Sequence, residues 1–321
     1  MIHSRITGTG SHLPAKVLSN FDLEKTLDTS DEWIRERTGI ERRHIAAEGE
    51  TTVDLAEHAA RRALEAAGVR PTDVDFIAFG TTTPDLVFPN CGVLLQERLG
   101  CRGGPAFSVE TACSGFMYAL SISDKYIRCG EAKRALVVGA ETLSRITDWS
   151  DRSTAILFAD GAGAVVLEPA DQPGILSTHL HADGIYKDLL YCGDGVSKGF
   201  GAEKVRLAIS MVGGEVFRVA VTTLGKAIDE ALQANGLART AIDWLVPHQA
   251  NLRIIQAMAR KLQLPMERVI VTIQDQGNTS AASVPLALDL AVRDGRIKRG
   301  DLLLLEAFGG GFTWGSALVR F

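Results

Sequence analysis

Apolar positions along the chain follow two rhythms. Short runs rich in β-branched and aliphatic residues, such as Ala135-Leu-Val-Val-Gly-Ala140 and Leu303-Leu-Leu-Glu-Ala-Phe308, read as strands, and stretches with apolar residues at helical spacing lie between them. Residues 2–8 predict a short strand. Thr52 to Ala67 predicts an amphipathic helix, stopped by Gly68 and the following Val69-Arg-Pro71. Before it, Thr29 or Ser30 stands where it would cap a short, charged helix. The run Ala106 to Glu110 reads as a buried strand, and Gly115 to Cys129 carries apolar residues at helical spacing. Cys113 therefore falls at a strand-to-helix junction.

The pattern also repeats. His58 to Ala78 parallels Lys226 to Val246, with Gly68 on Gly236 and Asp75 on Asp243, both at an offset of 168. The same offset lays Ala135–Ala140 on Leu303–Phe308 and puts the Cys113 junction on Ser280-Ala281, at the start of a second helix from Ala282 to Arg293. A fixed offset over several elements implies duplication of one α/β unit. The division expected is residues 1–170, carrying Cys113, and residues 171–321. Strands alternating with helices predict a sheet in each half covered by helices, with a pseudo-dyad bringing the two junctions together. Ligands in such sheets lie where strand ends meet. The segment Tyr186 to Ala202, with Gly193, Gly195, Gly199 and Gly201, has no counterpart in the first half and reads as a lid or binding loop.

Composition narrows the class. The 321 residues are 46% hydrophobic and 23% charged, as in a globular α/β protein with a large core. Lys and Arg number 34 against 39 Asp and Glu, a net charge of −5 that offers no global attraction for nucleic acid. The five cysteines, at 91, 101, 113, 129 and 192, form no CxxC pair and no zinc-like cluster, and their odd number argues against a disulfide framework. A reducing cytoplasm is the expected setting. No run approaches the ~20 apolar residues of a membrane span, and the N-terminus is too polar for a signal peptide. Gly8-Thr-Gly10 resembles half of a dinucleotide fingerprint, but Leu13 stands in place of its third glycine and Pro14 opens no long helix, so that site is rejected.

Candidate chemistry begins at Cys113. A helix N-terminus favours thiolate over thiol, and Ala112, Ser114 and Gly115 leave room for a substrate. A small buried hydrophobe is the structural alternative. His248 follows the second repeat's strand, Asn278 precedes a helix, and Gly309-Gly-Gly311 turns the chain after the last long strand. Singly, these residues suit a core histidine, an N-cap and a turn. Their joint occurrence at strand ends of a duplicated scaffold points to a catalytic set.

At these residues the chain resembles the condensing enzymes of the thiolase fold, and within them the β-ketoacyl-acyl-carrier-protein synthase III family. The likeness runs end to end. It is carried by Asp28-Thr-Ser-Asp-Glu-Trp-Ile, Arg37-Thr-Gly-Ile, Thr111-Ala-Cys-Ser-Gly-Phe, Phe158-Ala-Asp-Gly-Ala-Gly-Ala, His181-Ala-Asp-Gly, His248-Gln-Ala-Asn, Gly277-Asn-Thr-Ser-Ala-Ala-Ser and Gly309-Gly-Gly-Phe-Thr-Trp-Gly. The resemblance implies α-β-α-β-α layering and a decarboxylative condensation of an acyl-CoA, acetyl-CoA first among them, with malonyl-acyl-carrier protein.

It also implies roles. Cys113 would be acylated, the N–H groups of Cys113 and Gly310 would hold the oxyanion, and His248 and Asn278 would donate to the enolate oxygen. Trp33, Arg37, Thr38 and Arg152 would bind CoA, with Gly213, Phe217, Ala250 and Asn251 along the pantetheine channel. Arg218, Arg253, Arg260 and Lys261 would steer an acidic carrier protein. Phe88 would cross a homodimer interface to the partner's acyl pocket. No metal or redox cofactor is called for.

Rival activities leave different marks. A hydroxymethylglutaryl-CoA-synthase-like condensation wants a glutamate in Phe79-Gly-Thr-Thr-Thr-Pro, which has none, and a biosynthetic thiolase wants a second cysteine within 302–321, which has none. A synthase with an unusual primer, a cysteine thioesterase or a non-catalytic scaffold are the remaining alternatives. Glu110, close to Cys113, would raise the thiol pKa if it faced the site.

Overall fold

The computed structural model describes residues 2–193, 195–198 and 208–321. In chain order its strands are β1 (His3–His12), β2 (Lys16–Ser19), β3 (Arg42–Ile45), β4 (Phe76–Gly80), β5 (Ala106–Val109), β6 (Ala135–Thr142), β7 (Asp160–Ala170), β8 (Ile175–Ala182), β9 (Leu190–Cys192), β10 (Ile209–Met211), β11 (Trp244–Pro247), β12 (Leu302–Gly309) and β13 (Thr313–Arg320). Two sheets form the frame, in the orders β1-β7-β6-β4-β5 and β11-β12-β13-β8. In the first, β6, β4 and β5 are parallel while β7 runs against both β6 and β1. The second repeats this arrangement, with β11 parallel to β12 and β13 running against both β12 and β8. It lacks only a full counterpart of β5. A single parallel bridge between Leu245 and Val269 stands in that place.

Strand alternation assigns the layers. On β4, Phe76 and Ala78 face one core while Ile77 and Phe79 face another; on β12, Leu303, Leu305 and Ala307 turn away from Leu302, Leu304 and Phe308. The core between the sheets takes Phe116, Met117, Leu120 and Ile127 from the Gly115–Arg128 helix and Val284, Ala287, Leu288 and Ala291 from the Ser283–Arg293 helix. These two helices are the central layer. Outside lie the Thr52–Ala67 helix on the first sheet and the Gly213–Ala234 helix on the second.

The predicted helix over Thr52–Ala67 forms with a capping box at Thr51 and Gly68 in the left-handed region at φ 68°. Ser30, rather than Thr29, caps the Asp31–Thr38 helix. Two expectations change. The N-terminal strand is longer than residues 2–8, because its whole length pairs with β7. β5 is half-buried at a sheet edge, so the run from Ala106 is not a buried strand. The lid reading of Tyr186–Ala202 lies partly outside the described residues; within them, β9 pairs with β10. Among the described residues no helix is long and apolar enough to cross a membrane.

Close backbone approach fixes the two central helix starts. A methyl group on Gly139 of β6 would lie 2.2 Å from the Ala281 carbonyl oxygen. Gly139→Ala should therefore lower unfolding free energy by about 1–3 kcal/mol in urea titration. Gly184→Ala, which meets nothing within 4 Å, should change it by less than about 0.5 kcal/mol.

Candidate active site

Cys113 sits in the single turn Ala112–Ser114, and the α-helix proper starts at Gly115. Ala112 holds a left-handed φ of 46°, a conformation that costs about 1 kcal/mol or more for a residue with a Cβ. It aims Cys113 into a cavity of about 480 Å³ whose wall also includes His248, Asn278, Glu306 and Phe308. The three predicted catalytic side chains thus meet in one space. Cys113 is 8% exposed, and burial pushes its thiol up to about 12; the buried Glu141 carboxyl pushes the same way, and a Ser280 hydrogen bond pulls against both. This runs against the expectation of a thiol made acidic by the helix terminus: desolvation is the largest influence on it. Glu110 is exposed, and the carboxyl that bears on the thiol is Glu141.

His248 lies just past β11, its backbone N–H donating to the Glu306 carbonyl at 2.8 Å. Its Nδ1 is hydrogen-bonded to Ser283 Oγ, which also accepts the Gln249 N–H at 3.3 Å. Ser283 keeps its hydroxyl hydrogen available for Nδ1, and with that bond donated the imidazole hydrogen lies on Nε2. Burial lowers the His248 pKa to about 3, so the ring is neutral through the physiological range. Gln249 braces the turn, donating to the Pro247 and Ile270 carbonyls at 2.8 and 3.0 Å and accepting from the Thr272 and Ile273 N–H groups.

Asn278 is pinned on both sides of its backbone, donating to the Leu157 carbonyl and accepting from Ala159 N–H, each at 2.9 Å. Its Oδ1 accepts the Ser280 N–H at 2.9 Å. The cap and the site function coincide here, since that bond leaves the amide NH2 as the group available to the cavity. In the glycine turn, a methyl on Gly309 would lie 2.8 Å from Cys113 N, so Gly309 packs on the backbone of Cys113 itself. Gly310 follows, against Leu190 and Ala112.

Trp33, Arg37, Thr38, Gly213, Phe217, Ala250 and Asn251 line the same cavity toward its mouth. The Trp33 ring is flanked by two guanidinium groups, Arg37 at 5.5 Å and Arg152 at 4.9 Å from its centroid. Asn251 Nδ2 donates to the Arg37 carbonyl at 2.9 Å, tying the two sides of the channel together. Thr38 is buried and donates to the Ile34 carbonyl, so it shapes the wall. Of the basic set, Arg218 is paired with Glu215, Arg253 lies 5.4 Å over the Phe217 ring, and Arg260 is exposed. Lys261 is paired as Arg218 is: its Nζ lies 2.6 Å from Asp229, a carboxylate that Arg239 also meets at 2.9 Å. Phe88 is 84% exposed and lies away from the cavity of its own chain.

Three residues escaped the sequence reading: Glu141, Ser283 and Glu306. Ser283 stood inside a quoted motif, whereas the other two are carboxyls in apolar runs, itself a signal of function or strain. Glu141 is 0% exposed and accepts hydrogen bonds from Thr81, Thr82, Thr83 and Ser280, the shortest from Thr83 Oγ1 at 2.6 Å.

Comparison with known proteins gives the same answer as the geometry. Residues 107–184 match the model of 3-oxoacyl-[acyl-carrier-protein (ACP)] synthase III, and residues 232–321 match that of its C-terminal region. The chain is 61% identical over 322 residues to the beta-ketoacyl-[acyl-carrier-protein] synthase III of Thioalkalivibrio sulfidiphilus, all of both chains being covered. The chain belongs to the β-ketoacyl-acyl-carrier-protein synthase III family. The family's protein in Alkalilimnicola ehrlichii is 62% identical, again with full coverage of both. The crystal structure of the Aquifex aeolicus synthase III superposes with a TM-score of 0.93 at 47% identity, covering 99% of this chain and 100% of that one. The fold is thus the thiolase fold of these synthases.

The buried imidazole makes the fold of this synthase sensitive to acid. His248 binds a proton below about pH 6.5 when unfolded but only near pH 3 when folded, so stability falls as pH drops through that window. The contribution is on the order of 1.4 kcal/mol per pH unit. His248→Gln should flatten the pH dependence of unfolding free energy between pH 6 and 4, read by urea titration; an unchanged slope would place the dependence elsewhere.

Proposed function

We propose that this synthase starts fatty acid chains by a decarboxylative Claisen condensation of an acyl-CoA primer, acetyl-CoA first, with malonyl-acyl-carrier protein. The products are 3-oxoacyl-acyl-carrier protein, CoA and CO2. The convergence of Cys113, His248 and Asn278 on one cavity is the observation that carries the reading. Residues 1–170 supply the nucleophile and residues 171–321 the two donors. Cys113 Sγ attacks the thioester carbon, the oxyanion is held by the Cys113 and Gly310 N–H groups, and CoA leaves as a thiol. The acyl group then waits on sulfur.

Malonyl-carrier protein enters by the same channel. Loss of CO2 places charge on its thioester oxygen, where His248 Nε2–H and the Asn278 amide donate. Both donors are fixed before the charge develops: Ser283 sets the imidazole tautomer, and Ser280 N–H sets the amide. A neutral imidazole suits this task, because it donates without giving up its proton. At the mouth, Trp33 with Arg37 and Arg152 takes the adenine and phosphates of CoA. Arg218, Arg253, Arg260 and Lys261 face the acidic carrier protein.

The enzyme works as a cytoplasmic homodimer. Leu86, Val87 and Phe88 are exposed apolar neighbours in one loop, which a second copy would cover, and Phe88 would reach the partner's acyl pocket. Phe88→Asp should convert the dimer to a monomer in sedimentation velocity; a wild-type monomer at micromolar concentration would defeat the assignment.

Intact-protein mass spectrometry tests the chemistry. Incubation with acetyl-CoA should add one acetyl group to wild type and none to Cys113→Ser, and malonyl-carrier protein should discharge it as the 3-oxoacyl product. His248→Ala and Asn278→Ala should keep the adduct and each lose about 10²–10³ in condensation rate. An adduct discharged only to water would instead make the protein a thioesterase.

A further inference from the structure

Among the described residues that line the cavity, Glu306 is the only carboxyl, and the chemistry above gives it no task. Strand alternation on β12 puts Glu306 on the face of Leu302, Leu304 and Phe308, opposite the central helices. It is 0% exposed, and neither carboxyl oxygen has a hydrogen-bond partner. On β13 its register partner is Ser316, whose hydroxyl donates to the Ala227 carbonyl at 3.4 Å. On the other side it meets Pro247, with His248 next in the chain.

The titratable groups that share the cavity are Cys113 from the turn before the Gly115–Arg128 helix, His248 past β11, Arg37 from the Asp31–Thr38 helix and Arg253 from the Leu252–Leu262 helix. The Gly213–Ala234 helix contributes Val216, Ala220 and Leu224 to the wall, and no charge. An unpaired carboxylate in such a place is strongly disfavoured, and burial pushes Glu306 up to about 8. At neutral pH it is a carboxylic acid. It therefore holds a proton at a buried point of the cavity wall.

The reaction cycle is one proton short. In acyl transfer the S–H bond of Cys113 breaks, an S–C bond forms, and the proton leaves on the CoA thiol. In condensation the bond from malonyl carbon to carboxylate breaks, CO2 departs, and the released pair forms the new C–C bond. The S–C bond then breaks with its pair left on Cys113. The cycle ends on a thiolate. His248 supplies hydrogen bonds but no proton, since its ring is already neutral. A buried thiol whose pKa lies near 12 takes a proton readily from a carboxylic acid.

We propose that Glu306 is the proton store of this site: after each condensation its neutral carboxyl gives a proton to the Cys113 thiolate, directly or through one water, and the carboxylate reloads from solvent through the cavity mouth. This rests on acylation of Cys113. A wild-type enzyme that forms no acyl adduct would remove that foundation, a failure distinct from those below.

Glu306→Gln keeps the shape and loses the acid. The variant should form the acetyl adduct like wild type, while steady-state condensation falls about 10²-fold. Wild-type kcat should decline as pH rises through about 8, where Glu306 loses its proton, and the variant should lack that alkaline limb. Glu306→Asp should recover part of the rate and restore the limb. A Glu306→Gln enzyme with kcat within twofold of wild type and a superimposable pH profile overturns the proposal. Wild type alone provides a second test that needs no variant to fold. In a single turnover in weak buffer with a pH indicator, proton uptake from solution should lag formation of the 3-oxoacyl product; simultaneous uptake also overturns it.

Discussion

The site depends on backbone packed directly against backbone where the two central helices begin. Methyl groups on Gly80, Gly139 and Gly309 would lie 2.6 Å from Gly115 C, 2.2 Å from Ala281 O and 2.8 Å from Cys113 N. Side chains at these positions would wedge apart the turns Ala112–Ser114 and Ser280–Ala282. Those turns are themselves strained, Ala112 at φ 46° and Ser280 at φ 51°, and the surrounding packing holds them there. Because the turns touch, Cys113 from one half and His248 and Asn278 from the other share a single cavity. The sheets, with their alternating apolar faces, serve to press these two helix starts together.

Burial then decides the electrostatics. It drives Cys113 and Glu306 up and His248 down, so each favours its neutral form at neutral pH. The fixed charges lie at the mouth instead, on Arg37, Arg152 and Arg253. This division fits the substrate. In the reading proposed above, the phosphates of CoA would meet arginines in water-accessible surroundings, while the thioester would meet uncharged donors in a poorly solvated interior, where a hydrogen bond to a developing charge is strongest. The same burial leaves the resting thiol protonated, which makes the movement of protons part of catalysis.

Much of this was legible in the sequence. The offset of 168 aligned Cys113 with Ala281 because each helix start needs the same local signals: small residues, a strand before and an apolar stripe after. His248 and Asn278 were legible for a similar reason, lying at strand ends with distinctive neighbours. What could not be read was set by depth. A helix terminus argues for an acidic thiol, but the opposing desolvation depends on how completely Phe308, Leu190 and their neighbours close the cavity, and no local pattern records that. Glu110 drew attention as the carboxyl nearest in sequence, yet it is Glu141 that bears on the thiol, held by Ser280, which lies 139 residues from Glu141 along the chain. The pairing of Lys261 with Asp229 was equally hidden, because Asp229 lies one helix earlier.

The duplication also explains why there is one site and not two. Ser283 and His248 correspond, at the same offset of 168, to Gly115 and Gly80. The second half makes this contact with a hydroxyl on an imidazole. The first half makes it with two glycines, at a spacing that would not admit even one methyl group. Glu141 and Ser280 correspond in turn to Gly309 and Ala112. There the first half spends a buried carboxyl on bracing Thr81, Thr82 and Thr83, and the second half uses a glycine to lie flat on Cys113. In each pair one half thus places polar side chains where the other half has a glycine against backbone. A cysteine at Ala281 would gain no equivalent donors, because the positions corresponding to His248 and Asn278 hold Gly80 and Glu110, which offer neither imidazole nor amide.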